Sequence, residues 1–216
     1  MQEIPTIARL GDDALIVRFA TTISWEIGSR VRAAAARIRA MQIESITDVV
    51  PAYTTLAVYF DSARVAFEAV ATTIAPIVNS GEAALAESST IIEIPVRYDG
   101  PDLDEVAERT GLAVPDVIAR HSSRTYRAYM SGFAPGFAYL GDLDPLLVVA
   151  RRSVPRVHVP AGSVAIAAAQ TAVYPLETPG GWHLIGSTTL RMFDVDRNPP
   201  ALIRAGDMVR FIPVDP

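Results

Sequence analysis

The hydrophobic positions of the first eighty residues alternate between the two-residue period of strands and the longer period of helices. Residues 14–19 place Leu15, Val17 and Phe19 on one face, which predicts a half-buried strand. Ser24 is a good N-cap, so a helix is predicted to follow it. The apolar stripe of this helix consists of Ile27, Val31, Ala34, Ile38 and Met41.

The rest of this half predicts two strands and a second helix. Residues 49–53 and 55–60 have the composition of paired strands. The helix is predicted to begin near Asp61 or Ser62. Its inward positions are Phe67, Val70, Ile74 and Ile77. The order β-α-β-β-α favours a small open sheet with both helices on one side.

A stretch without periodicity separates this half from the next. Residues 79–89 gather small and polar side chains, which is typical of a linker between domains. We therefore predict an N-terminal α+β domain over 1–85 and a second domain over 90–216.

The second half opens with a predicted strand at 91–98 and two short helices. Asp102 and Glu105 have the spacing of a capping box, and Gly111 is placed to end the first helix. Pro115 stands near the start of the second helix, which is predicted to run to about His121.

From residue 125 the chain changes to short alternating segments broken by Gly and Pro, which predicts a compact β-barrel. The predicted strands are 126–131, 164–168, 189–193 and 209–212.

The two helices that precede the barrel have the spacing of a DNA-binding helix-turn-helix, but the first is rich in acidic residues, which phosphates repel. A packed helical pair is predicted, with no nucleic acid as partner.

Charge and composition exclude several functions. The formal net charge is −5, and the chain has no cysteine, so thiolate nucleophiles and cysteine metal sites are absent. All 19 basic residues are arginine, which excludes a Walker-type phosphate loop in this chain. The acidic N-terminus and the lack of a long apolar run predict a cytoplasmic protein with no membrane contact. Four helical arginines are expected on a solvated face: Arg30, Arg32, Arg37 and Arg39.

Four loops rich in Gly and Pro, at 132–141, 159–163, 170–175 and 178–186, are the candidate binding elements. Their aromatic members are Phe133, Phe137, Tyr139, Tyr174 and Trp182. Their neutral hydrogen-bonding members are Ser163, Gln170, Thr171 and His183. This mixture suits a small, polar, planar ligand, although barrel turns by themselves also need Gly and Pro.

These loops hold few groups that could carry protons. The single acid among them is Glu177, which lies between the last two loops, and the three histidines of the chain show no metal-ligand spacing. No catalytic residue and no metal site is predicted. Donors and ring walls without proton carriers are typical of one half of a shared site.

Four ordered motifs identify a resemblance. They are GFAPGFAYLG at 132–141, PR at 155–156 with PAGSV at 160–164, QT at 170–171 with YP at 174–175, and PGGW at 179–182 with IG at 185–186. The chain resembles the 5-oxoprolinase B-subunit family, also called allophanate hydrolase subunit 1. That family includes Kip-type inhibitors of a histidine kinase, and the same module occurs in the carboxyltransferase domain (subdomains C and D) of urea carboxylase.

The resemblance implies a small α+β domain followed by a cyclophilin-like β-barrel. It also implies a hydrolase that opens the lactam of 5-oxo-L-proline to L-glutamate at the expense of ATP. The implied partners are a larger homologous barrel subunit (the C-subunit of 5-oxoprolinase) together with a third subunit (its A-subunit). The resemblance implies that ATP is bound by the complex.

The residues of the four motifs supply a hypothesis for the site. The expected substrate contacts are Ser163, Gln170, Thr171, Tyr174, Gly180, Gly181 and His183. The expected pocket walls or partner contacts are Phe133, Pro135, Phe137, Tyr139, Arg156 and Trp182. The family pattern implies glycines where this chain has Ala168 and Ala172. The alternatives are a regulatory histidine-kinase inhibitor, or half of an allophanate- or urea-type carboxyltransferase served by a biotin-carrying chain.

Overall fold

The computed structural model describes residues 4–81 and 91–215. The chain divides into two compact units, Met1–Glu87 and Ser88–Pro216. The predicted linker at 79–89 falls largely outside the described residues. Each unit has its own hydrophobic core.

The N-terminal unit is a four-stranded antiparallel sheet with two helices. Its elements are β1 (Thr6–Arg9), β2 (Ala14–Arg18), α1 (Trp25–Ala40), β3 (Ile46–Pro51), β4 (Thr55–Phe60) and α2 (Phe67–Asn79). The strand order is β1-β2-β4-β3. Apolar residues of β2, β3 and β4 pack with those of both helices in one core, as their periodicity predicted.

Helix α1 begins where the sequence indicated, because the Ser24 hydroxyl accepts a hydrogen bond from the backbone N–H of Ile27 at 3.2 Å. Met41 follows the end of the helix and is exposed, so its place in the apolar stripe was wrong. The expectation for Arg30 was also wrong, since it is buried and its guanidinium carbon lies 5.8 Å from the Phe19 ring centroid.

Helix α2 begins five to six residues later than predicted. Residues 61–65 instead form a turn, in which the Asp61 carboxylate accepts from the backbone N–H of Ala63. The Asp61 carbonyl also accepts from the backbone N–H groups of Arg64 and Val65. An Asp that satisfies nearby N–H groups favours a turn over a continuous helix.

The C-terminal unit is built around a seven-stranded sheet. Its strands are β5 (Ile91–Val96), β6 (Thr125–Ser131), β7 (Ala138–Gly141), β9 (Ser163–Ala167), β10 (Gln170–Val173), β12 (His183–Ser187) and β13 (Met208–Pro213). Their order is β12-β9-β10-β7-β6-β13-β5, and β8 (Arg156–Val159) pairs separately with β11 (Thr178–Gly180). The ends of the sheet meet where Arg97 and Ser187 exchange backbone hydrogen bonds at 2.9 and 2.8 Å, which nearly closes a barrel.

The predicted α+β class with a barrel in the second half is confirmed, with one strand placed wrongly. Residues 189–193 are not a strand, and only Phe193 forms a bridge, with Ala201. The strand lies earlier, at β12, which begins after the two residues Gly181 and Trp182 that follow β11. Helices α3 (Leu103–Thr110) and α4 (Val114–Ser122) lie between β5 and β6, and Gly111 ends α3 with a φ of 69°.

His121 of α4 is part of the barrel core and faces no solvent. Thr171 donates its hydroxyl proton to the Ala165 carbonyl at 3.0 Å, so it must accept from His121 Nε2 at 2.9 Å. His121 Nδ1 therefore accepts from the Tyr98 hydroxyl at 2.7 Å. Burial lowers the pKa of His121 to about 3, which keeps the ring neutral.

Within the described ranges, no helix combines the length and apolar character that crossing a bilayer requires.

Candidate functional site

A cleft on the barrel unit combines aromatic walls with arginine side chains. Its volume is about 180 Å³, below the roughly 300–1,000 Å³ of sites for drug-sized ligands, so it suits a small molecule. Its lining residues are Phe133, Phe137, Tyr139, Arg151, Arg152, Pro155, Tyr174, Pro179, Gly180, Gly181 and Trp182.

Strand pairing brings these distant stretches together. Loop 132–137 connects the antiparallel strands β6 and β7. Strand β10 pairs with β7 and ends just before Tyr174. Strand β11 ends at Gly180, and Trp182 immediately precedes β12. The order of the strands therefore places three predicted loops around one opening, while the predicted loop at 159–163 contributes no lining residue.

Phe137 is the centre of the aromatic wall. Its ring centroid lies 4.9 Å from that of Tyr139, 5.4 Å from Tyr174 and 5.8 Å from Trp182, all edge to face. Such pairs stabilise one another beyond their buried area. The mouth of the cleft holds Phe133, which is 61% exposed and has a φ of 72°. A bulky side chain on left-handed backbone is unfavourable, and such strained residues are concentrated at functional sites.

Gly180 makes room for the hydroxyl of Tyr174. A Cβ atom at Gly180 would lie 2.3 Å from that oxygen, closer than real atoms approach. Tyr174 is buried, and burial raises the pKa of its hydroxyl, opposed by a backbone hydrogen bond from Trp182 and by the charge of Arg151. The phenol is therefore a neutral group of the wall at pH 7.

Below the cleft, Asp102 joins the N-terminus of α3 to the barrel. Its two carboxylate oxygens accept from Arg156 at 2.8 and 2.6 Å, and one accepts from Arg152 at 3.0 Å. The backbone N–H of Leu184 donates to the same carboxylate at 2.7 Å. Burial would raise the pKa of Asp102, but the Arg156 hydrogen bond, the Leu184 N–H and the two arginine charges hold it below its usual value.

This arrangement corrects the predicted capping box. Asp102 is the N-cap residue of α3, but its side chain makes no cap hydrogen bond. Glu105 binds Arg109 and Arg152 instead of the N-cap backbone. Two guanidinium groups attract a carboxylate more strongly than one neutral N–H does, which explains why the cap is not formed.

The chain segment that enters the cleft is fixed by hydrogen bonds on either side of Arg151. The Ala168 N–H donates to the Val149 carbonyl at 2.7 Å. The Ala150 carbonyl accepts from His183 Nε2 at 2.9 Å, so that nitrogen carries a proton.

Arg152 anchors the end of this segment through both its backbone and its side chain. Its N–H donates to the Gly181 carbonyl at 2.8 Å. Its guanidinium lies 3.0 Å from Asp102 and 2.8 Å from Glu105. The segment is thus held in register with the 180–183 side of the cleft.

Asp102, Glu105 and His183 could offer metal ligands, because their ligand atoms lie within 4.8 Å of one another. His183 Nδ1 is buried without a hydrogen-bond partner and lies 4.0 Å from Glu105. However, Arg152 and Arg156 already neutralise the carboxylates that would attract a cation. The group is better described as an ion-pair network.

Seven residues predicted for the site line the cleft together: Phe133, Phe137, Tyr139, Tyr174, Gly180, Gly181 and Trp182. Six others do not line it: Pro135, Arg156, Ser163, Gln170, Thr171 and His183. Thr171 and His183 are fully buried and bonded inside the unit, so both are positioned to support structure rather than to contact ligand. Arg156 is bound to Asp102, and Pro135 is exposed on the turn beside Phe133.

Ser163 and Gln170 belong to the strands beneath the cleft. Ser163 is buried, and its carbonyl accepts from the backbone N–H of Tyr174. Gln170 is half-buried on β10, opposite Gly141 and Ala167. Their predicted substrate contacts remain predictions that the lining of the cleft does not support.

Sequence reasoning missed four lining residues: Arg151, Arg152, Pro155 and Pro179. The adjacent arginines follow the apolar run 146–150 and precede a proline, which is a detectable signal. Of the two implied glycine positions, Ala168 has a left-handed φ of 49°. Ala172 is buried within the cluster that supports the aromatic wall.

The cleft can bind and orient a ligand, but it lacks groups for proton transfer. Among the described residues, its titratable members are tyrosines and arginines, with no carboxylate or imidazole in the lining. A tyrosine of raised pKa and a guanidinium are poor general bases at pH 7.

Comparisons with known proteins agree with this fold. The family described as carboxyltransferase domain, subdomain C and D, matches residues 5–203. The chain is 41% identical over 219 residues to the 5-oxoprolinase B-subunit of Bacillus subtilis (strain 168), covering 95% of this chain and 91% of that protein.

Solved structures share the fold over nearly the whole chain. TTHA0988 superposes with a TM-score of 0.85 at 38% identity over 94% of this chain, which spans 40% of the TTHA0988 chain. The urea amidolyase of K. lactis superposes with a TM-score of 0.78 at 18% identity. The match covers 97% of this chain and 15% of the amidolyase chain, and at this identity it shows a common fold alone. The chain therefore belongs to the carboxyltransferase-domain family of subdomains C and D, and within it to the 5-oxoprolinase B-subunit family.

Proposed function

We propose that this chain is the B-subunit of an ATP-dependent 5-oxoprolinase, which opens the lactam of 5-oxo-L-proline to L-glutamate. It acts with two partners, a larger homologous barrel subunit plus a third subunit. The similarity to a relative of this name over 91% of that protein's length supports the proposal.

The observation that carries the proposal is the composition of the cleft. A five-membered lactam is flat and small, and its ring can pack against the walls formed by Phe137, Tyr174 and Trp182. Opening the lactam requires activation of a nucleophile and a proton for the departing nitrogen, and the cleft lining supplies neither. These groups therefore come from a partner chain, while the present chain binds and orients the substrate.

ATP is assigned to the complex rather than to this chain. A phosphate loop of the Walker type needs a lysine, and the sequence has none. We expect this chain to influence ATP hydrolysis only through the substrate that it positions.

The test is co-expression with both partner chains, followed by an assay of glutamate formation from 5-oxo-L-proline. We expect glutamate only when ATP and all three chains are present. Full activity of the two partner chains without this one would contradict the proposal. Glutamate formation that ignores ATP would contradict it as well.

A variant at the mouth of the cleft connects the assay to the site. Phe133→Ser removes an exposed ring, so the chain should fold and assemble normally while the complex loses turnover. Val195→Ser is the matched control, because Val195 is 78% exposed and is not part of the cleft lining. Equal activity of the two variants would show that the Phe133 ring of the cleft is not needed for the reaction.

A further inference from the structure

Arg151 is a cleft residue whose two neighbours in the chain are held by backbone hydrogen bonds. The backbone on both sides is fixed, at Ala150 by His183 and at Arg152 by Gly181, whereas the Arg151 side chain extends along the cleft. Its guanidinium carbon lies 5.9 Å from the ring centroid of Trp182. The side chain is therefore presented to the cleft by a rigid support.

The charge of Arg151 is uncompensated. Within ranges 4–81 and 91–215, no acidic side chain forms an ion pair or hydrogen bond with it. Its neighbour Arg152 is the opposite case, because Asp102 and Glu105 neutralise it. One uncompensated positive charge beside an aromatic wall makes the cleft attractive to a single anionic group.

A guanidinium is well suited to recognise a carboxylate. Its planar fork donates two parallel hydrogen bonds to the two oxygens, and it remains charged at all physiological pH values. Because the backbone is already fixed, binding has to order only the side chain of Arg151.

We propose that Arg151 binds the carboxylate of the substrate, so that the cleft selects cyclic amides that carry a carboxylate on the ring. The inference rests on the proposed function and adds to it the substrate specificity of the cleft. The aromatic residues recognise the ring, and Arg151 recognises the acid group.

The test uses the three-chain complex with the variants Arg151→Gln and Arg151→Lys. We expect Arg151→Gln to raise the KM for 5-oxo-L-proline about tenfold to a hundredfold, the usual effect of losing charge-assisted hydrogen bonds. The Ki of 2-pyrrolidone, which has the ring without the carboxylate, should change less than about twofold, within the range of surface substitutions. Arg151→Lys should recover part of the lost affinity, and Arg204→Gln, an exposed arginine outside the lining, should behave as wild type.

Several outcomes would overturn the inference while leaving the proposed function intact. They are an unchanged KM in Arg151→Gln, an equal weakening of 5-oxo-L-proline and 2-pyrrolidone, and a failure of Arg151→Gln to assemble on size exclusion, which would make Arg151 a partner contact. A wild-type complex that forms no glutamate would instead overturn the proposed function, and the inference with it.

Discussion

Arg156 donates to Asp102 with both terminal guanidinium nitrogens, Nη1 and Nη2, at 2.8 and 2.6 Å, across 54 positions of the sequence. Asp102 is almost completely buried, with a side chain 3% exposed. This pair joins the start of α3 to β8, the strand that pairs with β11 beside the cleft. The cleft is therefore supported by an ion pair that no local sequence pattern predicts.

Replacement of this carboxylate should destabilise the barrel unit. Asp102→Asn leaves the Arg156 and Arg152 guanidiniums without their buried counter-charge, and we expect a loss of about 3 kcal/mol in the free energy of unfolding. Urea unfolding followed by tryptophan fluorescence measures this change. Asp104→Asn, an exposed position on the same helix, should change stability by less than about 0.5 kcal/mol. Similar effects of the two variants would contradict the role of Asp102.

The two adjacent glycines of the cleft should respond differently to a methyl group. In Gly180→Ala the new Cβ meets the Tyr174 hydroxyl at 2.3 Å, and relieving that overlap should cost about 1–3 kcal/mol. In Gly181→Ala the nearest atoms, in Pro155, are 3.7 Å away, which is ordinary contact. Thermal unfolding should therefore show a clear loss for the first variant and little for the second. Equal losses would show that Tyr174 does not need the space at Gly180.

Ala168 is predicted to be less favourable than glycine. Its φ of 49° is left-handed, where a Cβ is strained, so Ala168→Gly should raise the free energy of unfolding by about 1 kcal/mol. Ala169→Gly provides a matched control with the opposite sign, because that exposed neighbour has no positive φ and glycine only adds freedom to the unfolded chain. A loss of stability in Ala168→Gly would contradict the argument.

His121 should make stability depend on pH. Burial lowers the pKa of His121 from 6.5 to about 3 in the folded chain, so between these values the unfolded state binds more protons. The free energy of unfolding should therefore fall as the pH decreases through this window. Between pH 7 and pH 5 the stability advantage of wild type over His121→Gln should shrink by about 2 kcal/mol.

The control for this pH dependence is Val195→Ser, because Val195 is 78% exposed and has no titratable group. Its stability relative to wild type should be the same at both pH values. A pH-independent difference between wild type and His121→Gln would show that the buried ring does not resist protonation.

Local patterns were sufficient for the elements whose signals depend on neighbours in sequence. Ser24 caps α1 because its hydroxyl reaches an N–H three residues ahead, and Gly111 ends α3 because its backbone is left-handed. The same reasoning failed for Asp102, where two distant arginines compete with the local cap. It also failed for Arg30, whose burial depends on packing against Phe19.

By itself, the sequence determined the α+β class and the barrel of the second half, and it named the aromatic and glycine residues that line the cleft. These features follow from periodicity, turn residues and ordered motifs, all of which act over short stretches of chain. Only the tertiary structure decided that Thr171 and His183 face the interior, that Arg152 is neutralised and that Arg151 has no acidic partner among the described residues. The reason is physical: burial and charge compensation depend on which distant strands pair, and no local pattern contains that information.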